Sequence, residues 1–146
     1  MKDLSISGTG TSLSKVEAYR TQAYPFSKFQ SVITDLQGEL KFIKGITFKP
    51  GQRVVVPAEI KNVGANTRQP ILVKFYQGDP LSGGTQIGKD RVINGLGEGR
   101  SVLISENWSA PLTTGTYNLF VVVNPNRTII EFDYANNRAL KTVSVK

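Results

Sequence analysis

Asn124, Asn126, Glu131, Asp133, Asn136 and Asn137 fall within fourteen residues of one another. So many oxygen-bearing side chains in one stretch are the raw material of a hard-cation site, since calcium takes six to eight oxygens and usually several carboxylates. Only two of these six residues are carboxylates. Asn124, Asn126, Glu131 and Asp133 are therefore weak metal candidates, and the expected reading is no metal and no cofactor. The competing chemistry is conformational: Asn-Pro-Asn and Asn-Asn build turns, bonding to nearby main chain and tolerating left-handed backbone angles. Asn136 and Asn137 are assigned that structural role. Glu131 and Asp133 could also form a general acid/base pair, sharing one face of a strand about 7 Å apart, but no pocket is implied.

Other chemistry is excluded by composition. The chain has no His and no Cys, which removes Ser-His-Asp catalysis, imidazole or thiolate metal sites, disulfides and a histidine pH switch. Tyr117 follows Thr114-Gly115-Thr116 at the start of an apolar alternation, where its hydroxyl can bond back to the main chain as in a tyrosine corner. Trp108 could stack on a sugar, but its parity with Val102 and Ile104 places it in a core. Tyr76 and Phe120 lie on the opposite parity and are the candidate contact residues. Gly95-x-Gly97-x-Gly99 lacks the spacing and trailing helix of a phosphate loop and reads as turns. Asn107-Trp108-Ser109 and Asn126-Arg127-Thr128 match the glycosylation sequon, a triplet common by chance.

The 146 residues carry 18 basic and 11 acidic groups, a formal charge of +7. That balance favours acidic partners, such as an anionic envelope polymer or an acidic protein surface. Lys41, Lys44, Lys49, Arg53, Lys61, Arg68 and Lys74 are scattered over strands and turns of both parities rather than interleaved with aromatics on one face, so nucleic acid is not expected. The longest aliphatic or aromatic run, residues 119–123, is too short for a membrane span. Residues 1–20 lack the apolar stretch of a secretory signal; either such a segment was removed or the protein does not use one.

These groups must be positioned by strands. Val54, Val56, Ala58 and Ile60 alternate with more polar neighbours, and Val73 with Phe75, then Tyr117, Leu119, Val121 and Val123, repeat the period of two. Turn signals such as Lys49-Pro50-Gly51-Gln52 separate the runs. Strands are expected near 40–48, 52–61, 70–77, 86–94, 100–108, 116–124 and 138–145, giving an all-β, seven-stranded immunoglobulin- or fibronectin-like sandwich. Pro57 must face away from a ladder or sit at a bulge. Glu106 shares the parity of Trp108 and is expected at an open end of the sandwich rather than in a dry core. Residues 1–34 form an N-terminal extension or docking arm. Phe26, Phe29, Ile33 and Leu36 have helical spacing after Pro25, and Tyr19, Tyr24, Phe26 and Phe29 are expected to contact another surface.

Residues 35–146 resemble the CARDB family, the cell-adhesion-related domain of bacteria. The likeness is carried by Phe48-Lys49-Pro50-Gly51-Gln52-Arg53-Val54 and by Ile60-Lys61-Asn62-Val63-Gly64. It continues in Asn94-Gly95-Leu96-Gly97-Glu98-Gly99-Arg100-Ser101 with Trp108-Ser109-Ala110-Pro111, and ends in Gly115-Thr116-Tyr117 through Asn124-Pro125, Ile130-Glu131-Phe132 and Asn136-Asn137. This chain departs from the pattern at Asn124, where the family usually has Asp, and at Glu106, where it usually has an apolar residue. The resemblance implies a non-catalytic structural or adhesion module, attached to other protein subunits of an extracellular or cell-surface assembly. A virion component, such as a capsid decoration or fibre protein, is the alternative setting. A carbohydrate-binding accessory module is the alternative function.

Overall fold

The computed structural model describes residues 33–42 and 45–146. Two antiparallel-dominated sheets face each other. Strands β1 (Leu36–Leu40), β3 (Arg53–Asn62) and β6 (Ser101–Ser109) form one sheet in the order β1-β3-β6. The other has the order β2-β8-β7-β4-β5, from β2 (Thr47–Phe48), β4 (Thr67–Gln77), β5 (Thr85–Leu96), β7 (Gly115–Val123) and β8 (Arg138–Val145). Short 3-10 turns at Pro80–Ser82 and Ala135–Asn137 complete the described residues. The sandwich expected from the alternating stripes is therefore present.

The stripes bury as the period of two requires. Val54, Val56, Ala58 and Ile60 from β3 meet Val73, Phe75, Leu119 and Val121 from the opposite sheet, all buried. Each fully buried Val, Ile, Leu or Phe side chain is worth about 1.5–3 kcal/mol. Gly38 lets β1 cross close over the facing sheet, since a Cβ there would lie 3.0 Å from Val123 Cγ2. At the far end Trp108 is 4% exposed and meets the Phe48 ring edge-on, with centroids 6.2 Å apart. Its indole N–H donates to Gln77 Oε1 at 2.9 Å, so the buried ring leaves no polar atom unpaired.

Three local expectations are corrected. The single strand over 40–48 is two strands in different sheets: β1 ends at Leu40, and the chain crosses past Phe42 and Gly45 to place β2 parallel to β8. Gly45 adopts φ +98, a conformation that interrupts an L-residue strand. Leu36 belongs to β1 and is fully buried, so it is not part of a helical face; the aromatic residues Tyr19, Tyr24, Phe26 and Phe29 lie outside the described residues. Glu106 is not at an open end. It is 7% exposed and lies at the seam between β5 and β6, where Arg91 Nε donates to Oε2 at 2.7 Å. The reason is that a cation, Arg91, and one main-chain donor, Lys89 N–H, reach it from the other sheet.

Pro57 sits in an unbulged β3. Its carbonyl accepts from Lys41 N at 2.8 Å, and in a strand the N and C=O of one residue point to the same side. Its missing donor thus faces the end of the β1 ladder, whose last pair is Leu40 with Ala58. The β3–β6 ladder loses nothing.

Candidate functional site

One end of the sandwich is built from polar side chains. β7 ends at Val123, and Asn124 turns the chain with φ 52, a left-handed angle that Asn tolerates. Its side chain stays inside: Nδ2 donates to Ile129 O at 2.9 Å and to Glu131 Oε2 at 2.6 Å, while Oδ1 accepts from Ile129 N at 3.3 Å. Glu131 is 6% exposed. Its Oε1 accepts from Leu36 N at 2.7 Å, and Oε2 also accepts from Asn137 Nδ2 at 2.5 Å. One carboxylate thus ties the first strand, the end of β7 and the 135–137 turn together. Burial pushes the Glu131 carboxyl above its ordinary value; the bonds from Asn124, Leu36 and Asn137 pull it back without cancelling that, and the negative charge of Asp35 adds to the rise.

The surrounding groups continue the clasp. Asn136 Nδ2 donates to Asp35 Oδ1 at 2.9 Å. Thr34 pairs with Glu131 in an isolated parallel bridge, and Thr34 Oγ1 donates to Ala65 O at 3.1 Å. Asn62, fully buried, uses its whole amide. Nδ2 donates to Ala65 O and Leu96 O at 2.8 and 2.9 Å, and Oδ1 accepts from Gly64 N and Asp35 N at 3.0 and 3.3 Å.

The four weak metal candidates are not brought together as ligands. Asn124 turns its NH2, not its oxygen, toward Glu131. Asn126 is exposed, and Asp133 Oδ1 accepts from Ala135 N at 2.8 Å in a local turn. Asn136 Oδ1 and Asn137 Oδ1 are buried without hydrogen-bond partners. They belong to amides whose other prong already holds a carboxylate, so they point away from Asp35 and Glu131 rather than converging with them. No group of three or more acidic, His or Cys side chains suited to a metal exists among the described residues.

Tyr117 O–H donates to Thr113 O at 2.7 Å, the geometry of a tyrosine corner. On the outer face of the five-stranded sheet, register places Tyr76 beside Phe120 and Phe120 beside Leu140, with Lys74, Val122 and Arg138 in the next row and Leu72 beside Val92. Val92 and Leu140 are 56% and 52% exposed, while Leu72, Tyr76 and Val122 are half-buried. Phe120 corrects the expectation of an exposed ring: it is 3% exposed. Parity does put it on the outer face, but Tyr76 and Leu140 flank it and the Arg138 guanidinium lies over it, 5.4 Å from the ring centroid. Arg138 is held there by Asp79 at 2.8 Å.

Two of the scattered basic residues are engaged in ion pairs. Lys41 bridges Glu39 and Glu59 at 3.2 and 3.3 Å, and Lys74 meets Asp90 at 3.7 Å. Sequence reasoning gave no role to Asn62 or Asp35, and it did not join Glu106 to Gly88 and Arg91. Asn62 had a signal, the glycine two residues on, whose N–H its side chain accepts.

Comparison with known proteins now adds to this geometry. The CARDB family model matches residues 41–141. The chain belongs to the CARDB family. None of the curated proteins compared with it matches. Among solved structures, the CARDB domain of a Pyrococcus furiosus protein, crystallised in complex with di-metal ions, is similar with a TM-score of 0.65 and 24% identity over 77% of this chain and 94% of that one. A domain of a presumed cell surface protein from Methanosarcina acetivorans gives a TM-score of 0.62 and 21% identity, covering 79% and 94%. A β-glucosidase from Listeria innocua contains a similar fold in 16% of its length, with a TM-score of 0.52 and 11% identity over 77% of this chain. At these identities the structures establish a shared fold. CARDB domains are adhesion-related modules, and no helix among the described residues is long and apolar enough to cross a membrane.

Proposed function

We propose that this CARDB domain is a non-catalytic attachment module that binds protein subunits of a larger assembly on an external surface. The observation that carries this reading is the outer face of the five-stranded sheet. There Tyr76 and Leu140 flank the covered Phe120 ring, Lys74, Val122 and Arg138 form the next row, and Leu72 beside Val92 extends the face beyond them. An apolar centre among charged groups suits a protein partner, because burial supplies affinity and the charges fix orientation. A sugar ligand would instead call for a row of open aromatic rings, and here Phe120 offers none. Residues 1–34, with Tyr19, Tyr24, Phe26 and Phe29, are proposed as a second attachment element joined at the polar end of the sandwich.

Beads coated with the full chain test the reading against purified envelope proteins and, separately, envelope polysaccharide. Retention on the proteins should fall about tenfold or more with the pair Val92→Asp and Leu140→Asp, since one lost apolar anchor is worth about 1–2 kcal/mol. Both positions are more than half exposed, so the cost should be only about 1–2 kcal/mol, from poor strand formation by Asp and thinner cover over Phe120, and the domain should stay folded. Unchanged retention on the proteins would refute the assignment, and retention on polysaccharide alone would favour the glycan reading. Deleting residues 1–32, which spares the bonded Ile33 and Thr34, should weaken retention while leaving the sandwich folded.

A further inference from the structure

The β4–β5 ladder jumps from Val73 paired with Arg91 to Phe75 paired with Ile87. Gly88, Lys89 and Asp90 therefore stand opposite Lys74 alone. Such a bulge bends its strand and sharpens its twist. It occurs where β5, an edge of the five-stranded sheet, passes β6, an edge of the three-stranded sheet. Glu106 of β6 enters that seam. Its Oε2 accepts from Arg91 Nε at 2.7 Å and Lys89 N at 3.3 Å, both on β5, and the carboxylate is also bonded by the main-chain N–H of Asn107 on its own strand.

Gly88 is shaped to this partner. It has φ +66, and a Cβ there would lie 2.3 Å from the Glu106 carboxyl carbon. Burial alone would raise the Glu106 carboxyl. The Arg91 bond, the Lys89 N–H, the Arg91 charge and the Asn107 N–H together outweigh it and hold the group below its ordinary value, so it stays ionised.

The register fixes what the seam would otherwise expose. Pro57 directs its carbonyl toward Lys41 of the first-strand side, and its partner across the ladder is Ser105. By alternation, Leu103, Ser105 and Asn107 point their main-chain groups away from β3, toward the outside of the sheet. An unpaired strand edge is a template for another chain. The outward side chains of this strand, Ser101, Leu103, Ser105, Asn107 and Ser109, carry no charge to discourage pairing. The inward carboxylate takes one of those N–H groups and fastens the neighbouring edge against it.

We infer that Glu106, seated against Gly88 and Arg91, is a seam closure that denies the β6 edge to a second copy of this chain and keeps the domain from polymerising strand to strand.

The test uses the full chain with Glu106→Leu, which removes the carboxylate, and Gly88→Ala, which keeps it but drives it from its seat. Amide exchange is read residue by residue, and mass is followed by light scattering over a range of protein concentration. Both variants should speed exchange at Lys89 and Asn107 by about tenfold or more while the central β3 amides hold, and both should associate as concentration rises. Glu106→Gln, which keeps an acceptor oxygen, should fall between them and the parent. Should Glu106→Leu fail to fold, Gly88→Ala carries the same comparison. Variants that stay monomeric with unchanged exchange at Asn107 overturn the inference. Faster exchange without association overturns it too, since the closure would then guard nothing.

Discussion

Replacing Glu131 with Ala removes the one acceptor shared by three donors. Leu36 N–H and Asn137 Nδ2 are both buried and lose it, whereas Asn124 Nδ2 keeps Ile129 O. Two stranded donors at about 1–3 kcal/mol each give about 2–6 kcal/mol. Against that stands relief from holding a carboxylate in a poorly solvated site, whose cost is visible in the raised carboxyl. The net expectation is a loss of about 3 kcal/mol, or about 12 °C in Tm at about 4 °C per kcal/mol for a domain of this size. Urea unfolding should show a lower midpoint with an unchanged slope. Acidity sharpens the test. A raised carboxyl means the folded state holds the proton more tightly than the unfolded chain. Its stabilising contribution is complete below the ordinary value of 4.5 and is lost as pH rises through the folded value. The gap between parent and Glu131→Ala should therefore be wider at about pH 4 than at about pH 7. A loss below about 1 kcal/mol, or a gap that narrows on acidification, would refute the argument that this carboxylate clasps the end of the sandwich.

Asn62→Ala removes the acceptor of two main-chain N–H groups and the donor to Leu96 O, while Ala65 O keeps Thr34 Oγ1; it should cost about 3 kcal/mol by chemical denaturation, the N–H groups of Asp35 and Gly64 showing faster exchange. Tyr117→Phe removes a single hydroxyl bond to Thr113 O and should cost about 1 kcal/mol, with the near-ultraviolet spectrum otherwise retained. Glu106 acts in the opposite sense to Glu131. Its depressed carboxyl gives stability that is present above 4.5 and lost as pH falls through the folded value, so Glu106→Gln should flatten the acid limb of the stability profile.

The sandwich was legible because a period of two survives any tertiary context that buries one face of each strand. Val54, Val56, Ala58, Ile60, Val73, Phe75, Leu119 and Val121 all point where their spacing says they must. The split of β1 from β2 was not legible, because Leu40, Phe42, Ile46 and Phe48 keep an apolar alternation across a change of sheet. Phe120 shows the limit of parity: it tells which face a side chain leaves from, but not that an arginine eighteen residues later will lie over it. Glu106 failed for a related reason. A buried carboxylate is legible as tolerable only when its donors are known, and Arg91 and Lys89 come from a bulge on another sheet. The oxygen-rich run at 124–137 was visible as a cluster, but which prong of each amide faces a carboxylate is set by distant strands.

The chain enters the sandwich beside Asn62 and Glu131 and leaves it at Val145, which pairs with Gly115 at the opposite end. The last strand, eight residues and ~26 Å long, lies between β7 and β2, and the first is laced to β3 over five pairs. Tension between the two ends would pull these strands lengthwise, so their ladder bonds would share the load and give way together rather than unzip singly. A domain threaded in this manner is suited to standing in line under traction.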